Sequence, residues 1–174
     1  MPLPAHADWL AHRATAVPDR LALRSGGIDL TYAELSHEGR VVAERLRADG
    51  VIEGAIVPVD LPPGPEFVAT LHALWGLGAA AEPQRRGAPP PQKGETASVV
   101  PHEASIGTFP PGAGVMTRLY TSGTTGTPRA VDLTRENFFH SAIGTAFALG
   151  LGPYDRRLCC LPLHHVAGLS ILTR

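Results

Sequence analysis

The sequence predicts an α/β protein, and three observations carry that expectation. Helical and strand signals alternate along most of the chain, as they do when helices pack on a sheet. The punctuation between them is made of capping residues, glycines and prolines. A stretch dense in Gly, Thr and Ser, Tyr120 to Arg129, stands between a strand signal and a helix signal.

Taken in order, Asp8 to Val17 predicts a helix that Pro18 stops. Leu21–Ser25 and Ile28–Leu30 flank Gly26-Gly27, the pattern of a tight hairpin. Thr31-Tyr32-Ala33-Glu34 is a capping box; the helix it opens carries Leu35, Val41, Val42 and Leu46 and ends near Gly50. Ala55 to Leu61 is apolar enough for a buried strand, although Pro58 cannot donate to a ladder. A helix then starts at Pro65 or Glu66, runs through Phe67, Leu71, Leu74 and Trp75, and closes at Gly76 and Gly78. From Gln84 to Gly114 the periodicity fails; Pro89-Pro90-Pro91, Pro101 and Pro110-Pro111 mark a connection. Val115–Tyr120 predicts a strand, Thr134 caps a helix through Phe138, Phe139, Ile143, Phe147 and Leu149, and Gly150 ends it. Arg157–Leu161 predicts a further strand, and an apolar helical run begins near His165. The expected organisation is therefore 1–83, an α/β portion; 84–114, a Pro/Gly-rich connection; and 115–174, strand, helix and the start of a pocket segment.

Composition removes several classes of function. The 174 residues carry a formal net charge of −1, so there is no field for nucleic acid or an anionic membrane. No apolar run approaches the ~20 residues that span a bilayer. The start, Met1-Pro2-Leu3-Pro4-Ala5-His6, lacks the basic and apolar regions of a signal peptide. Adjacent Cys159 and Cys160 are expected as small buried residues in a reducing, cytoplasmic compartment, on opposite faces of a strand. No C-x-x-C spacing occurs and His164-His165 is a single cluster, so a zinc site is not expected.

The chemistry-bearing stretch is Thr121-Ser122-Gly123-Thr124-Thr125-Gly126-Thr127-Pro128-Arg129, in which every residue is hydroxylated, glycine, proline or cationic. Gly123 and Gly126 let main chain approach a ligand. The hydroxyls and amides are donors, and successive amides can form an anion-binding concavity. Arg129 adds permanent charge and a fork suited to phosphate. A polyanion is the ligand this pattern fits; a plain Thr/Gly surface loop is the bland alternative. The other common phosphate loop, G-x-x-x-x-G-K-[ST], does not match, because Pro128 occupies its second glycine and no Lys-Ser/Thr follows.

In its order this stretch resembles the phosphate-binding signature of the acyl-adenylate-forming enzymes, Tyr/Phe-Thr-Ser-Gly-Ser/Thr-Thr-Gly-x-Pro-Lys-Gly. It matches from Tyr120 through Pro128 and departs at Arg129, where Lys is usual, and Ala130, where Gly is usual. Lys93 is the single lysine of an Arg-rich chain, so Arg129 reads as a compositional exchange. A second signature, Pro-Leu-x-His-x-x-Gly, is matched by Pro162-Leu163-His164-His165-Val166-Ala167-Gly168. Outside that resemblance, a His after a strand is most often a packing residue. Within the family, the segments Glu136–Phe139 and Leu161–Ser170 look most like o-succinylbenzoate–CoA ligases of menaquinone biosynthesis; fatty acyl- and aryl-CoA ligases share most of these residues.

The resemblance implies a partial layered sheet-and-helix fold, that of the large N-terminal domain of adenylate-forming enzymes, truncated. It implies ATP, Mg²⁺ and CoA as cofactor and co-substrates, and a small-molecule carboxylate as partner. Thr121 to Arg129 would hold the β- and γ-phosphates, and His164, His165 and Gly168 would line the acyl pocket. His165 would shape that pocket rather than act as a base, because a carboxylate substrate is already ionised at neutral pH. The Glu that helps hold Mg²⁺, the ribose-binding Asp, the hinge and the catalytic Lys are expected beyond Arg174. The chain is accordingly expected to be a gene fragment, a truncated chain or a split protein, inactive and poorly folded alone, with Leu169, Ile171 and Leu172 facing water. A non-catalytic phosphate-binding module and a structural remnant are the alternatives.

Overall fold

The computed structural model describes residues 8–85, 114–121, 129–152 and 154–173. The first helix, α1 (Trp9–Ala16), begins where the Asp8 carboxylate accepts from the Ala11 amide at 3.0 Å. Strands β1 (Leu21–Ser25) and β2 (Ile28–Thr31) form the expected antiparallel hairpin. Its turn needs positive φ at both central positions, and Gly26 and Gly27 supply 58° and 83°. Arg24 and Asp29, directly opposed across the hairpin, form an ion pair.

Helix α2 (Tyr32–Ala48) carries the full capping box: Thr31 Oγ1 accepts from the Glu34 amide at 3.2 Å, and Glu34 Oε2 accepts from the Thr31 amide at 2.8 Å. Leu35 and Leu46 are buried, whereas Val41 turns outward at 50% exposure. Gly39 faces the next helix, where a Cβ would make an ordinary contact 3.7 Å from the Ala69 carbonyl oxygen.

That next helix, α3 (Pro65–Gly76), is the centre of the molecule. It has the proline-first start expected of it, and Phe67, Thr70, Leu71, Leu74 and Trp75 are all buried. A helix buried on most sides reads as continuously apolar, which is why its pattern is legible without a polar stripe. The sheet has the order β3-β4-β5-β6, from β3 (Ile56–Val59), β4 (Ala80–Pro83), β5 (Val115–Thr121) and β6 (Arg129–Thr134). The first three strands are parallel and β6 returns antiparallel to β5. Pro58 is tolerated because β3 is the end strand of this order. The β4–β5 pairing joins residues on both sides of the Pro/Gly-rich connection in one sheet. Residues 86–113 of that connection lie outside the described residues.

Helix α4 (Arg135–Leu149) starts on a second capping box, Thr134 with Asn137, and ends at Gly150 in the left-handed region at φ 62°. Helix α5 (Val166–Leu169) and a 3-10 turn, Ser170–Thr173, complete the described chain. The main core gathers Leu71, Leu74 and Trp75 of α3, Val59, Ala81, Met116 and Leu119 of the sheet, and Phe138, Leu163 and Leu169.

Several expectations are corrected. Strands β4 and β6 were not anticipated. Arg157–Leu161 is not a strand; among the described residues, none pairs with it. Cys159 and Cys160 are therefore exposed rather than buried in a sheet. Leu169 is fully buried, while Ile171 and Leu172 are half-buried, because the last turns fold back on the core. Of the apolar residues expected to line α4, Phe138 is buried, but Ile143, Phe147 and Leu149 are 51%, 91% and 67% exposed. No helix among the described residues is long and apolar enough to cross a membrane.

One titratable group is held inside this packing. His72 of α3 meets Trp75 edge-on, ring centroids 5.2 Å apart, beside Asp8 and Arg135. Burial pushes its pKa from 6.5 down to about 4; Arg135 lowers it further and Asp8 opposes the shift. The folded protein thus keeps His72 neutral where the unfolded chain protonates it. Stability from this source is complete above pH 6.5 and is lost as pH falls towards 4. The upper limit is about 3 kcal/mol. Urea unfolding of wild type and His72→Leu across pH 4 to 7.5 checks it: wild type should lose stability with acid more steeply than the variant, with the gap opening below about pH 6.5.

Candidate functional site

The carboxyl ends of the parallel strands are where an open α/β sheet presents ligands. Here they are Val59, Pro83 and Thr121. Strands β5 and β6 remain paired to their ends: Tyr120 opposes Ala130, and Thr121 opposes Arg129. The Thr121 hydroxyl also donates to the Arg129 carbonyl oxygen at 3.4 Å. The first and last residues of the Thr/Gly-rich stretch are thereby held side by side, with the Arg129 side chain exposed. Ser122, Gly123, Thr124, Thr125, Gly126, Thr127 and Pro128, the expected phosphate contacts between them, lie outside the described residues.

Beneath this edge runs a row of polar side chains that sequence reasoning missed. Ala81 pairs with Thr117 and Arg118 with Asp132, so Glu82, Arg118 and Asp132 share one face of the sheet across three strands. Arg118 grips Asp132 with a bidentate pair at 2.7 and 2.9 Å. This raises the guanidinium pKa, through the Asp132 hydrogen bond first. Glu82 is only 7% exposed. Its Oε1 accepts from Gln84 Nε2 at 2.8 Å and its Oε2 from the Tyr120 hydroxyl at 3.4 Å. The available signal was a lone acid in the run Ala79-Ala80-Ala81-Glu82-Pro83. It is legible only once that run is known to be a buried strand.

The second group of expected site residues forms one turn. The His165 amide donates to the Pro162 carbonyl at 3.2 Å, and the Leu169 amide donates to the His165 carbonyl at 3.0 Å, which starts α5. The His164 and His165 rings lie 4.2 Å apart. Burial lowers the His164 pKa, helped by His165 and by Arg85, which follows β4. Gly168 packs directly under the preceding chain: a Cβ there would sit 2.4 Å from the Pro162 carbonyl oxygen and 2.7 Å from that of Leu161. The Cys159 thiol adds a long contact to the Gly168 carbonyl at 3.7 Å. Among the described residues, no hydrogen bond joins this turn to Thr121 or Arg129. Among the described residues there is no group of three or more His, Cys, Asp or Glu that could hold a metal ion.

The requirement for glycine at 168 is steric, since the opposing atoms are backbone oxygens that cannot swing away. Gly168→Ala should destabilise the fold by about 1–3 kcal/mol, the usual cost of overpacking. Denaturant unfolding that places the variant level with wild type would contradict this close approach.

Comparisons with known proteins bear on the family and the fold. The sequence pattern described as "AMP-binding enzyme" matches residues 10–96 and 91–173. A 2-succinylbenzoate–CoA ligase of Bacillus cereus is 32% identical over 195 residues, spanning 96% of this chain and 40% of that protein. That of Geobacillus kaustophilus is 33% identical over 198 residues, with 96% and 40% covered. The chain thus spans about 40% of the length of the curated relatives it matches. Among solved structures, the o-succinylbenzoate CoA synthetase of Bacillus subtilis, in complex with its acyl-adenylate intermediate, superposes with a TM-score of 0.79 at 30% identity. That match covers 94% of this chain and 52% of that one. VinN, at 20% identity and TM-score 0.80 over 97% of this chain and 53% of its own, shares the fold. With the family pattern running across nearly all of its length, and the fold it specifies present, this chain belongs to the AMP-binding enzyme family.

Proposed function

We propose that these residues supply the phosphate-binding edge and the start of the acyl pocket of an AMP-forming carboxylate–CoA ligase, with o-succinylbenzoate as the carboxylate. The observation that carries this reading is the β5–β6 pair, which brings Thr121 and Arg129 together at the carboxyl edge of the sheet, with the Thr/Gly-rich signature between them. Its support from relatives is that the Bacillus subtilis synthetase has been captured with ATP and magnesium ion, and with its acyl-adenylate.

The reaction has two steps. A carboxylate oxygen attacks the α-phosphorus of ATP; a new P–O bond forms, the α–β bridging P–O bond breaks, and pyrophosphate leaves. The CoA thiol then loses its proton to water as its sulfur adds to the acyl carbonyl; the C–S bond forms, the acyl–O bond breaks, and AMP departs with that electron pair. In the first step the protein's task is positioning and charge stabilisation. The amides and hydroxyls of residues 121–127 would donate to the β- and γ-phosphate oxygens, which accumulate charge as pyrophosphate leaves. The Arg129 guanidinium would add positive charge there. His164, His165 and Gly168 would bound the carboxylate end of the pocket. No proton need be taken from the carboxylate, so neither imidazole is required as a base. A reducing, cytoplasmic setting belongs to the same reading, supported by the two free, exposed thiols, Cys159 and Cys160.

The test is ATP–pyrophosphate exchange on the natural full-length protein. Exchange that depends on o-succinylbenzoate is expected, and its absence with every carboxylate supplied would overturn the ligase reading. The double variant Thr124→Ala, Thr125→Ala should lower kcat/KM for ATP at least tenfold, about 1.4 kcal/mol of transition-state binding. Unchanged ATP kinetics in that variant would remove the stretch from the mechanism. Arg129→Lys should stay active within a few-fold of wild type, because charge is kept although the fork is lost. A wild type that is inactive until Lys is introduced would show the Arg to be a defect.

A further inference from the structure

Glu82 has no part in the mechanism above, yet it is a carboxylate buried in an alanine-rich strand beside the proposed polyanion site. Ala79, Ala80 and Ala81 before it are at most 1% exposed. A carboxylate in such surroundings is costly unless hydrogen-bonded, and the donors here are specific. Gln84 Nε2 reaches Oε1 at 2.8 Å and the Tyr120 hydroxyl faces Oε2 at 3.4 Å. The charge of Glu82 is also felt at Arg118.

The position of these contacts gives them their meaning. Among the described residues, the ladder between β4 and β5 shows one pair, Ala81 with Thr117. Beyond it, Arg118 to Thr121 continue to the sheet edge with backbone pairing to β6 on one side. On the β4 side, the Glu82–Tyr120 contact joins the two strands beyond that pair. Tyr120 is the residue before Thr121, whose partner across the pair is Arg129. A shift of the β5 end therefore moves both residues that flank the signature.

We propose that Glu82 is a positioning residue for polyphosphate binding, acting through Tyr120 to hold the carboxyl end of β5 against β4. This rests on reading the β5–β6 edge as the ATP phosphate site. The contact needs an acceptor at position 82 and a hydroxyl at position 120; it does not need the negative charge. Near a polyphosphate that charge is itself unfavourable, so the neutral isostere Gln should serve as well as Glu.

The experiment is calorimetric titration of ATP, and separately of o-succinylbenzoate, into the natural full-length protein and its Glu82→Ala, Glu82→Gln and Tyr120→Phe variants. Hydrogen–deuterium exchange at residues 118–121 and 129–132 is followed in parallel. Glu82→Ala and Tyr120→Phe should each weaken ATP at least fivefold, leave o-succinylbenzoate within twofold, and speed exchange at the two strand ends. Their combination should be no weaker than either alone, because both remove one contact. Glu82→Gln should retain wild-type ATP affinity or exceed it. If Glu82→Ala fails to fold, the partly exposed Tyr120 still gives the answer from the other side of the contact. ATP affinity unchanged in Tyr120→Phe, or equal losses for ATP and o-succinylbenzoate, would overturn the proposal. ATP binding that responds as expected in a protein without ATP–pyrophosphate exchange would sustain it while sinking the ligase reading. A wild type that does not bind ATP would sink both.

Discussion

Trp75 is the fastening on which the rest of the structure depends. Its indole Nε1 donates to the Met116 carbonyl at 2.7 Å, which fixes buried α3 to β5. Its own carbonyl accepts from Arg135 Nη2 at 3.2 Å, which ties α3 to the first residue of α4. Its ring packs on Phe138, centroids 6.2 Å apart, and on His72. Arg135 also lies 5.5 Å over the Trp9 ring, so α1 joins the same assembly. An aromatic side chain with a polar handle suits this duty: it contributes a large apolar area and still satisfies a buried acceptor. The strands that carry the signature are located by this contact, because β6 takes its place from β5 and β5 takes its own from α3.

The site inherits its precision from that assembly in different degrees. At Thr121 and Arg129, a backbone ladder sets the spacing. At Gly168, steric fit does so, since the turn closes only because no side chain intervenes beneath the Pro162 carbonyl. Helix α4 is anchored differently again. Phe138, Arg135 and the Thr134–Asn137 capping box hold its start, while Ile143, Phe147 and Leu149 further along are open to solvent. The held start of that helix lies at the opposite end of β6 from Arg129, beside the amino end of β5, where the Arg135 amide donates to the Gly114 carbonyl at 2.8 Å.

Electrostatics divides the sheet edge into groups with separate duties. Arg118 is engaged by Asp132 in a bidentate pair, so its charge is largely spent on bracing β5 against β6. Arg129 is exposed at the strand end. Glu82 is buried and bonded across to β5. Burial first, then the neighbouring His165 and Arg85, favour the neutral form of His164.

What the chain determined by itself is local. The caps of α2 and α4, the Gly26-Gly27 hairpin, the proline start of α3 and the glycine end of α4 depend on residues within a few positions of one another, and each stands where it was expected. The order of the phosphate signature belongs here too, because it is a property of sequence. Tertiary structure decided the rest. Ala80–Pro83 and Arg129–Thr134 are strands because a neighbour offers a ladder; Arg157–Leu161, with as strong an apolar pattern, is not, because none among the described residues does. Leu169 is buried and the two cysteines are exposed for the same reason: burial follows from what packs across an element, and no local pattern encodes the far side. Glu82 shows the difference most clearly. In sequence it is an acid before a proline; in the fold, the β4–β5 register sets it on the same face as Arg118 and against Tyr120, at the base of the candidate phosphate site.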